Sequence, residues 1–483
     1  MTLTKSLLLG SAATLVVVAG AQAADLPTKK GAPAAEYVKV CKVGDIAGFI
    51  IPGSDTCLKI SGYVNAQIAM GNVTDEREIE LSKHYFAPSY ASEVTTSTAT
   101  EVNDIGYYTR GQVNFDAVTN TAYGPLLAHI ELQGDVGDGR FDSTGSGTYL
   151  NEGYVSWAGV TAGKHPSFYD YLAGGDTWKD FFSPDHSGTP INLLAYTATF
   201  GGGFSATLSL EQNESVHGIN IPWVHAEVIP FLPASSGTNA ASGTPLGARA
   251  PDIVASLDVT QGWGGAHLAG VAHNVRLSSG TYYFPDSSGG YYTGSASDLD
   301  TWGYGVIGGV TFNLPMLSAG SKIAFQGAYA HGAIAYSGAT SPAWSEQDQG
   351  FNTNGNGTLF PMADAVATSS STWSLSNSWS LAAQLTWKVS PQFEIDPEVS
   401  YASVDYGSDA GDAWSTMLSQ KATAWWVGAV FDWSPVKNLD FALDAIYESS
   451  HQSTPIGWTY ATNGPFHADS DGFNGRIHVV RSF

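Results

Sequence analysis

The sequence predicts an all-β chain that crosses a membrane as a closed antiparallel barrel of about sixteen strands, and three observations carry that reading. From Ser378 to Phe483 apolar and polar residues alternate strand after strand, pausing only at short turns or polar loops. After the amino-terminal stretch, no apolar run reaches the roughly 20 residues a spanning helix needs. In lipid, a closed barrel is the other structure that satisfies every backbone hydrogen bond. Finally, short connections take turns with long ones, the asymmetry of bacterial barrels with tight periplasmic turns and longer outer loops.

The amino terminus comes first. Lys5, the apolar stretch Leu7 to Val18 and then Ala21-Gln22-Ala23 form a charged region, a hydrophobic region and a small-residue cleavage site. Residues 1–23 therefore read as a secretory signal peptide, with the mature chain starting at Ala24. The stretch 24–57 is expected to be a periplasmic lead-in, flexible from Ala24 to Glu36, and 58–483 the barrel. Cys41 and Cys57 are the only two cysteines. In an exported chain they are expected to form a disulfide, and the rival two-cysteine metal site lacks nearby histidines.

Strands are expected at 58–70, 108–117, 125–135, 149–158, 160–165, 193–200, 203–212 and 252–260, then at 265–277, 302–313, 321–332, 378–389, 392–404, 423–433, 439–449 and 472–483. Long connections fall at 71–107, 213–251, 278–301 and 333–377. An even strand number puts both ends of the chain on the periplasmic side. In the twelfth strand Trp379, Leu381, Ala383, Leu385, Trp387 and Val389 share one face, while Ser380, Gln384, Thr386 and Lys388 share the other. In the thirteenth, Phe393, Ile395, Val399 and Tyr401 alternate with Glu394, Asp396, Glu398 and Ser400. The clearest aromatics thus fall on the lipid side. A soluble all-β sandwich or solenoid is the competing architecture, and the loop lengths repeat at no fixed period, which disfavours the solenoid.

Charge limits the partners. Without Lys5 the mature chain has 19 basic and 44 acidic residues, a formal charge of −25. Such a chain repels nucleic acid and presents no basic patch for phosphates. Taken literally, the alternation points Lys59, Arg110, Asp116, His129, Glu131, Glu211, Asp258, Lys388, Glu394, Asp396, Glu398, Asp432, Asp440, Asp444, Glu448 and Arg476 into the lumen. Apart from His129, acids outnumber bases eleven to four in that set. Any one of these carboxylates serves equally well to keep the lumen wet; their sum concentrates small cations in a narrow passage.

Catalytic and metal signatures are weak. The 12 histidines form no HExxH, the cysteines form no CxxC, and no G-x-S-x-G elbow precedes a helix. His129 and Glu131 share a strand face, as a barrel hydrolase could use, but two hydrated wall residues explain them as well. Asp135, Asp138 and Asp142 offer oxygen ligands to calcium, without EF-hand spacing or its final glutamate; an ordinary solvated turn reads the same way. No cofactor is implied.

Four segments carry a resemblance: EYVKVCKVGDIAGFIIPGSDTCLKISGYV, RGQVNFDAVTNTAYGPLLAHIEL, YVSWAGVTAGKHPSFYDY and the closing GRIHVVRSF. In combination they resemble the alphaproteobacterial porins of the rhizobial and Brucella type. The resemblance implies a sixteen-stranded, water-filled diffusion channel for small hydrophilic solutes, assembled as a homotrimer among outer-membrane lipid and lipopolysaccharide. It also implies that the loop after the fifth strand, about His165 to Pro190, folds into the lumen and narrows it. That loop carries Asp170, Asp176, Asp180 and Asp185 against Lys179, and Gly174-Gly175 would permit a sharp reversal. Arg110 and Lys164 are expected to face these acids across the aperture, with Lys164 standing where the family commonly has arginine. A substrate-specific channel, for sugars as one example, is the alternative reading.

Overall fold

The computed structural model describes residues 39–71, 105–139, 147–172, 190–213, 246–277, 280–285, 291–338, 364–367, 373–405, 421–452 and 470–483. In chain order its strands are β1 (Val40–Val43), β2 (Ile46–Ile50), β3 (Cys57–Gly71), β4 (Ile105–Thr121), β5 (Gly124–Gly139), β6 (Gly147–Trp157), β7 (Val160–His165), β8 (Ile191–Gly201), β9 (Phe204–Glu211), β10 (Asp252–Gln261) and β11 (Gly264–Leu277). They continue as β12 (Gly280–Pro285), β13 (Tyr291–Ala296), β14 (Leu299–Asn313), β15 (Lys322–His331), β16 (Ala365–Ala367), β17 (Trp373–Leu375), β18 (Asn377–Ser390), β19 (Phe393–Asp405), β20 (Lys421–Val436), β21 (Leu439–Gln452) and β22 (Ser470–Ser482). Sixteen of them, β3–β11, β14, β15 and β18–β22, pair antiparallel in sequence order, and β22 returns to β3 to close the barrel. These are the sixteen strands the alternation predicts, with ends displaced by a few residues.

Closure follows from the pattern. Ile477 on β22 lies opposite Ile68 on β3, and both are exposed on the outside beside Val64 and Phe473. The carboxyl-terminal Phe483 donates its N–H to Gly62 O at 2.9 Å and accepts from Gly62 N at 3.2 Å, sealing the seam. Outward positions carry Trp379, Leu381, Trp387, Val399, Phe431 and Trp433, all exposed. Polar residues of the same strands turn inward, so the period-two reading of the wall holds.

The short turns cluster at one rim. Gly202 and Gly203 join β8 to β9 with φ of +62° and +83°, the left-handed pair a two-residue hairpin needs. A β carbon on Gly203 would meet Thr260 O at 1.9 Å, so this turn excludes side chains twice over.

Four accessory elements went unread in the sequence. The lead-in is partly ordered: β1 and β2 form a hairpin, and β2 pairs with the start of β3 through Phe49–Leu58 and Ile50–Cys57. Cys41 and Cys57 are joined in a disulfide that ties this hairpin to β3. The connection 278–301 contains the β12–β13 hairpin, and 333–377 contains a 3-10 turn at Ile334–Ser337 and the β16–β17 hairpin.

Candidate functional site: the lumen wall and its inward loop

The lumen begins with where β7 stops. Its six residues are fewer than the roughly 9–11 of a full tilted crossing, so the chain leaves the wall part-way up. From Pro166 it runs along the inner surface of β9, β10, β11, β14 and β15. Glu211 on β9 accepts from Ser167 Oγ at 2.6 Å and from Phe168 N at 3.1 Å. His267 Nε2 on β11 lies 3.0 Å from Tyr169 O. Tyr171 Oη shares a hydrogen bond with Thr311 Oγ1 at 2.7 Å and donates to Gly265 O at 3.3 Å. Gln326 on β15 accepts from Leu172 N at 3.1 Å. In six residues the segment is bound to four different strands.

Glycines make the room. Gly305 and Gly309 of β14 face inward, and a β carbon at Gly309 would stand 2.2 Å from Tyr171 Cδ1. At Gly305 it would stand 3.0 Å from Tyr336 Cβ and 3.2 Å from Tyr169 Oη. The run TWGYGVIGGV therefore places a trough where the loop's tyrosines lie. Glycine inside a strand signals such close backbone approach, a signal in the sequence that the alternation of its neighbours obscures.

Further round the barrel, on β18 to β22, the acids form a ladder. Glu394, Asp396 and Glu398 project inward from β19 at every second residue, all buried. Glu394 lies directly across from Asp432 on β20, a like-charge pairing that disfavours the sheet unless cations compensate; Lys388 of β18 ion-pairs with Glu394. Asp444 on β21 is opposite Arg476 on β22, with Oδ2 and Nε 3.6 Å apart. Arg476 Nη1 also donates to Gln67 Oε1 at 3.4 Å.

The third wall, β3 to β6, is mixed. Arg110 Nε donates to Asp135 Oδ1 at 2.8 Å, and Tyr149 Oη donates to Asp135 Oδ2 at 2.8 Å. Asp116 gathers Lys59 at 3.8 Å and His129 Nδ1 at 2.7 Å, while His129 Nε2 is 3.8 Å from Glu152. Glu131 accepts from Gln112 and Asn151 at 2.8 and 2.6 Å.

Two sequence expectations change. Lys164 does not face the lumen: it pairs with Gly153, which pairs with the outward-facing Ile130, and its Nζ donates to Leu150 O at 3.1 Å. Val160 is exposed on the outer face, and counting by twos along β7 puts Lys164 on that same side; Asn151, the extra residue between the Glu131–Glu152 and Leu132–Leu150 pairs of β5 and β6, shifts the register only beyond Gly153. Asp135, offered as a calcium ligand, instead turns into the lumen and binds Arg110 and Tyr149; the side chain of Asp138 and all of Asp142 lie outside the described residues. Of the loop charges Asp170 is described, whereas Asp176, Lys179, Asp180 and Asp185 lie outside the described residues. Sequence reasoning missed the inward aromatics Tyr63, Tyr108 and Trp426, all buried, because the outward girdle residues of the same strands dominate the pattern.

An apolar exterior, a charged interior and a loop bound across the inner wall define a membrane channel. The Porin subfamily profile matches residues 25–471, and the chain belongs to that subfamily of outer-membrane channels. It is 28% identical over 407 residues to porin Omp2a of Brucella ovis, covering 82% of this chain and 97% of that one. Against porin Omp2b of Brucella neotomae it is 27% identical over 434 residues, 87% and 96% of the two chains. In fold it is similar to the outer membrane channel DcaP of Acinetobacter baumannii, with a TM-score of 0.55 at 14% identity, covering 91% of this chain and 100% of that one.

Proposed function

We propose that the channel passes small hydrophilic solutes by passive diffusion, catalyses no reaction, and favours cations, with the loop after β7 as its constriction. The observation that carries the cation preference is the acid ladder of Glu394, Asp396, Glu398, Asp432 and Asp444, in which Lys388 pairs with Glu394 and Arg476 with Asp444. Charges of one sign lining a low-dielectric passage raise the local counter-ion concentration. The acids Asp176 and Asp180 of the loop, with Asp170 and Asp185, add to that field over Lys179. The test is the zero-current potential of purified channels in a salt gradient, which is to take the sign of cation preference; anion preference would overturn the reading.

The family supports a homotrimer surrounded by outer-membrane lipid and lipopolysaccharide. Residues 1–23 act as the secretion signal, 24–57 lie on the periplasmic side, and both ends of the mature chain face the periplasm, consistent with the short turns sharing the rim at which β3 begins. The contacts of His129 with Asp116, Glu152 and the Tyr154 ring support a wall residue over a hydrolytic base.

A further inference from the structure

We propose that the segment following β15 is a second part of the constriction, bound to the loop after β7 and locked by an Asp252–His273–Asp364 clamp, so that the two segments set the aperture as one body. The inference rests on the reading that the loop after β7 narrows the channel.

The path of the chain is the first observation. After His331, Gly332 takes φ +61° and the chain turns into the 3-10 turn Ile334–Ser337, whose Ile334 and Tyr336 are fully buried. The turn is fastened to the inner wall by β18: Ser337 Oγ donates to Ser378 Oγ at 2.8 Å, and Ser380 Oγ donates to Ser337 O at 2.5 Å. Tyr336 then reaches across β14 and β11 to β10, where its hydroxyl donates to Asp252 Oδ2 at 2.5 Å. Burial, and next the charge of Asp252, hold this phenol well above its ordinary range, so it remains a neutral donor.

The clamp is the second. His273 on β11 has Nδ1 2.8 Å from Asp252 Oδ2 and Nε2 3.4 Å from Asp364 Oδ2. Asp364 Oδ1 accepts from Ile334 N at 2.8 Å. All three side chains are at least nine-tenths buried. One imidazole thus joins the wall, through Asp252, to the far end of the segment, through Asp364. Asn213, from the connection after β9, donates to Asp252 Oδ1 at 2.7 Å.

The third is the joint between the two segments. Tyr169 Oη donates to Tyr336 O at 2.9 Å, and the rings meet edge to face with centroids 5.0 Å apart. Both stand over Gly305 in the same trough. Displacing the clamp therefore frees a side of Tyr169, and with it the loop after β7.

The experiment uses purified full-length mature protein carrying Asp364→Asn, His273→Gln or Tyr336→Phe, with heat-modifiable gel migration as the folding control. Asp364→Asn and His273→Gln are expected to raise single-channel conductance roughly twofold and to admit larger sugars in liposome swelling, with the zero-current potential keeping its sign. Tyr336→Phe keeps the ring in the trough and is expected to give a smaller rise. Folded variants with wild-type conductance and size limit overturn the proposal; should the first two not fold, an unchanged Tyr336→Phe overturns it alone. If the clamp variants are silent while Asp176→Asn with Asp180→Asn lowers cation preference, the diffusion reading stands and this proposal falls. If that loop pair is silent too, the constriction reading falls with it.

Discussion

Tyr171 lies flat against His267, ring centroids 5.4 Å apart and planes 12° from parallel, in a space that exists because position 309 has no side chain. Valine at Gly309 would drive its β carbon into the tyrosine ring. Overpacking of this kind costs about 1–3 kcal/mol, and the loop yields before a strand hydrogen-bonded on both sides. Gly309→Val is therefore expected to fold as a barrel but to become cleavable by protease between residues 166 and 190, with a broadened conductance distribution. Wild-type behaviour in both measurements would show that Glu211 and Gln326 hold the loop without the ring.

The wall makes a sharper prediction. Leu385 shares the outward face of β18 with Leu381 and Trp387, and Gln384 turns inward opposite Glu398. Arginine at Leu385 should cost about 2–4 kcal/mol if the site lies near the bilayer midplane, as should arginine at Phe441, whereas arginine at Gln384 or Ala442 should be tolerated. Folding titrations in lipid decide; equal tolerance on both faces would contradict the orientation of the barrel.

The disulfide should matter little to conduction. Closing the loop between Cys41 and Cys57, a separation of 16 residues, adds roughly 3 kcal/mol on the chain-entropy estimate. The hairpin it ties pairs with only the first residues of β3, outside the closed sheet. Cys41→Ser with Cys57→Ser is expected to lose the reducing-agent-sensitive gel shift and to keep wild-type conductance. Loss of conductance would place the hairpin in the channel's support.

The wall was legible because each inward residue is betrayed by its immediate neighbours: Glu394, Asp396 and Glu398 declare themselves against Phe393, Ile395 and Val399. The inward loop's landing site was not, because its partners are remote. Tyr169 and Tyr336 are 167 positions apart, and Tyr171 and Thr311 are 140. Asp252, His273 and Asp364 come from three separate stretches and match no spacing motif. Lys164 failed for a different reason: the resemblance assigns it to the aperture, whereas alternation from the outward Val160 already puts it on the outer face of β7.

The proposed selectivity has two candidate sources, the ladder and the loop, and two sets of variants separate them. Asp396 and Glu398 are fixed on β19, and Asp396 lies in the same register row as Val430, Asp444 and Arg476. Asp176 and Asp180 belong to the segment proposed to narrow the lumen. Unit charges about 8 Å apart interact by roughly 0.5 kcal/mol in water and several-fold more at an effective dielectric near 20, so charge at the narrowest point should weigh more than charge on a wider wall. Asp176→Asn with Asp180→Asn is therefore expected to lower the zero-current potential in a salt gradient more than Asp396→Asn with Glu398→Gln, although each pair removes two carboxylates. High salt should shrink both effects, the ladder's first, because the wider passage is better screened. If the loop pair leaves potential and conductance unchanged while the ladder pair lowers both, the ion is selected at β19 and the loop limits size alone.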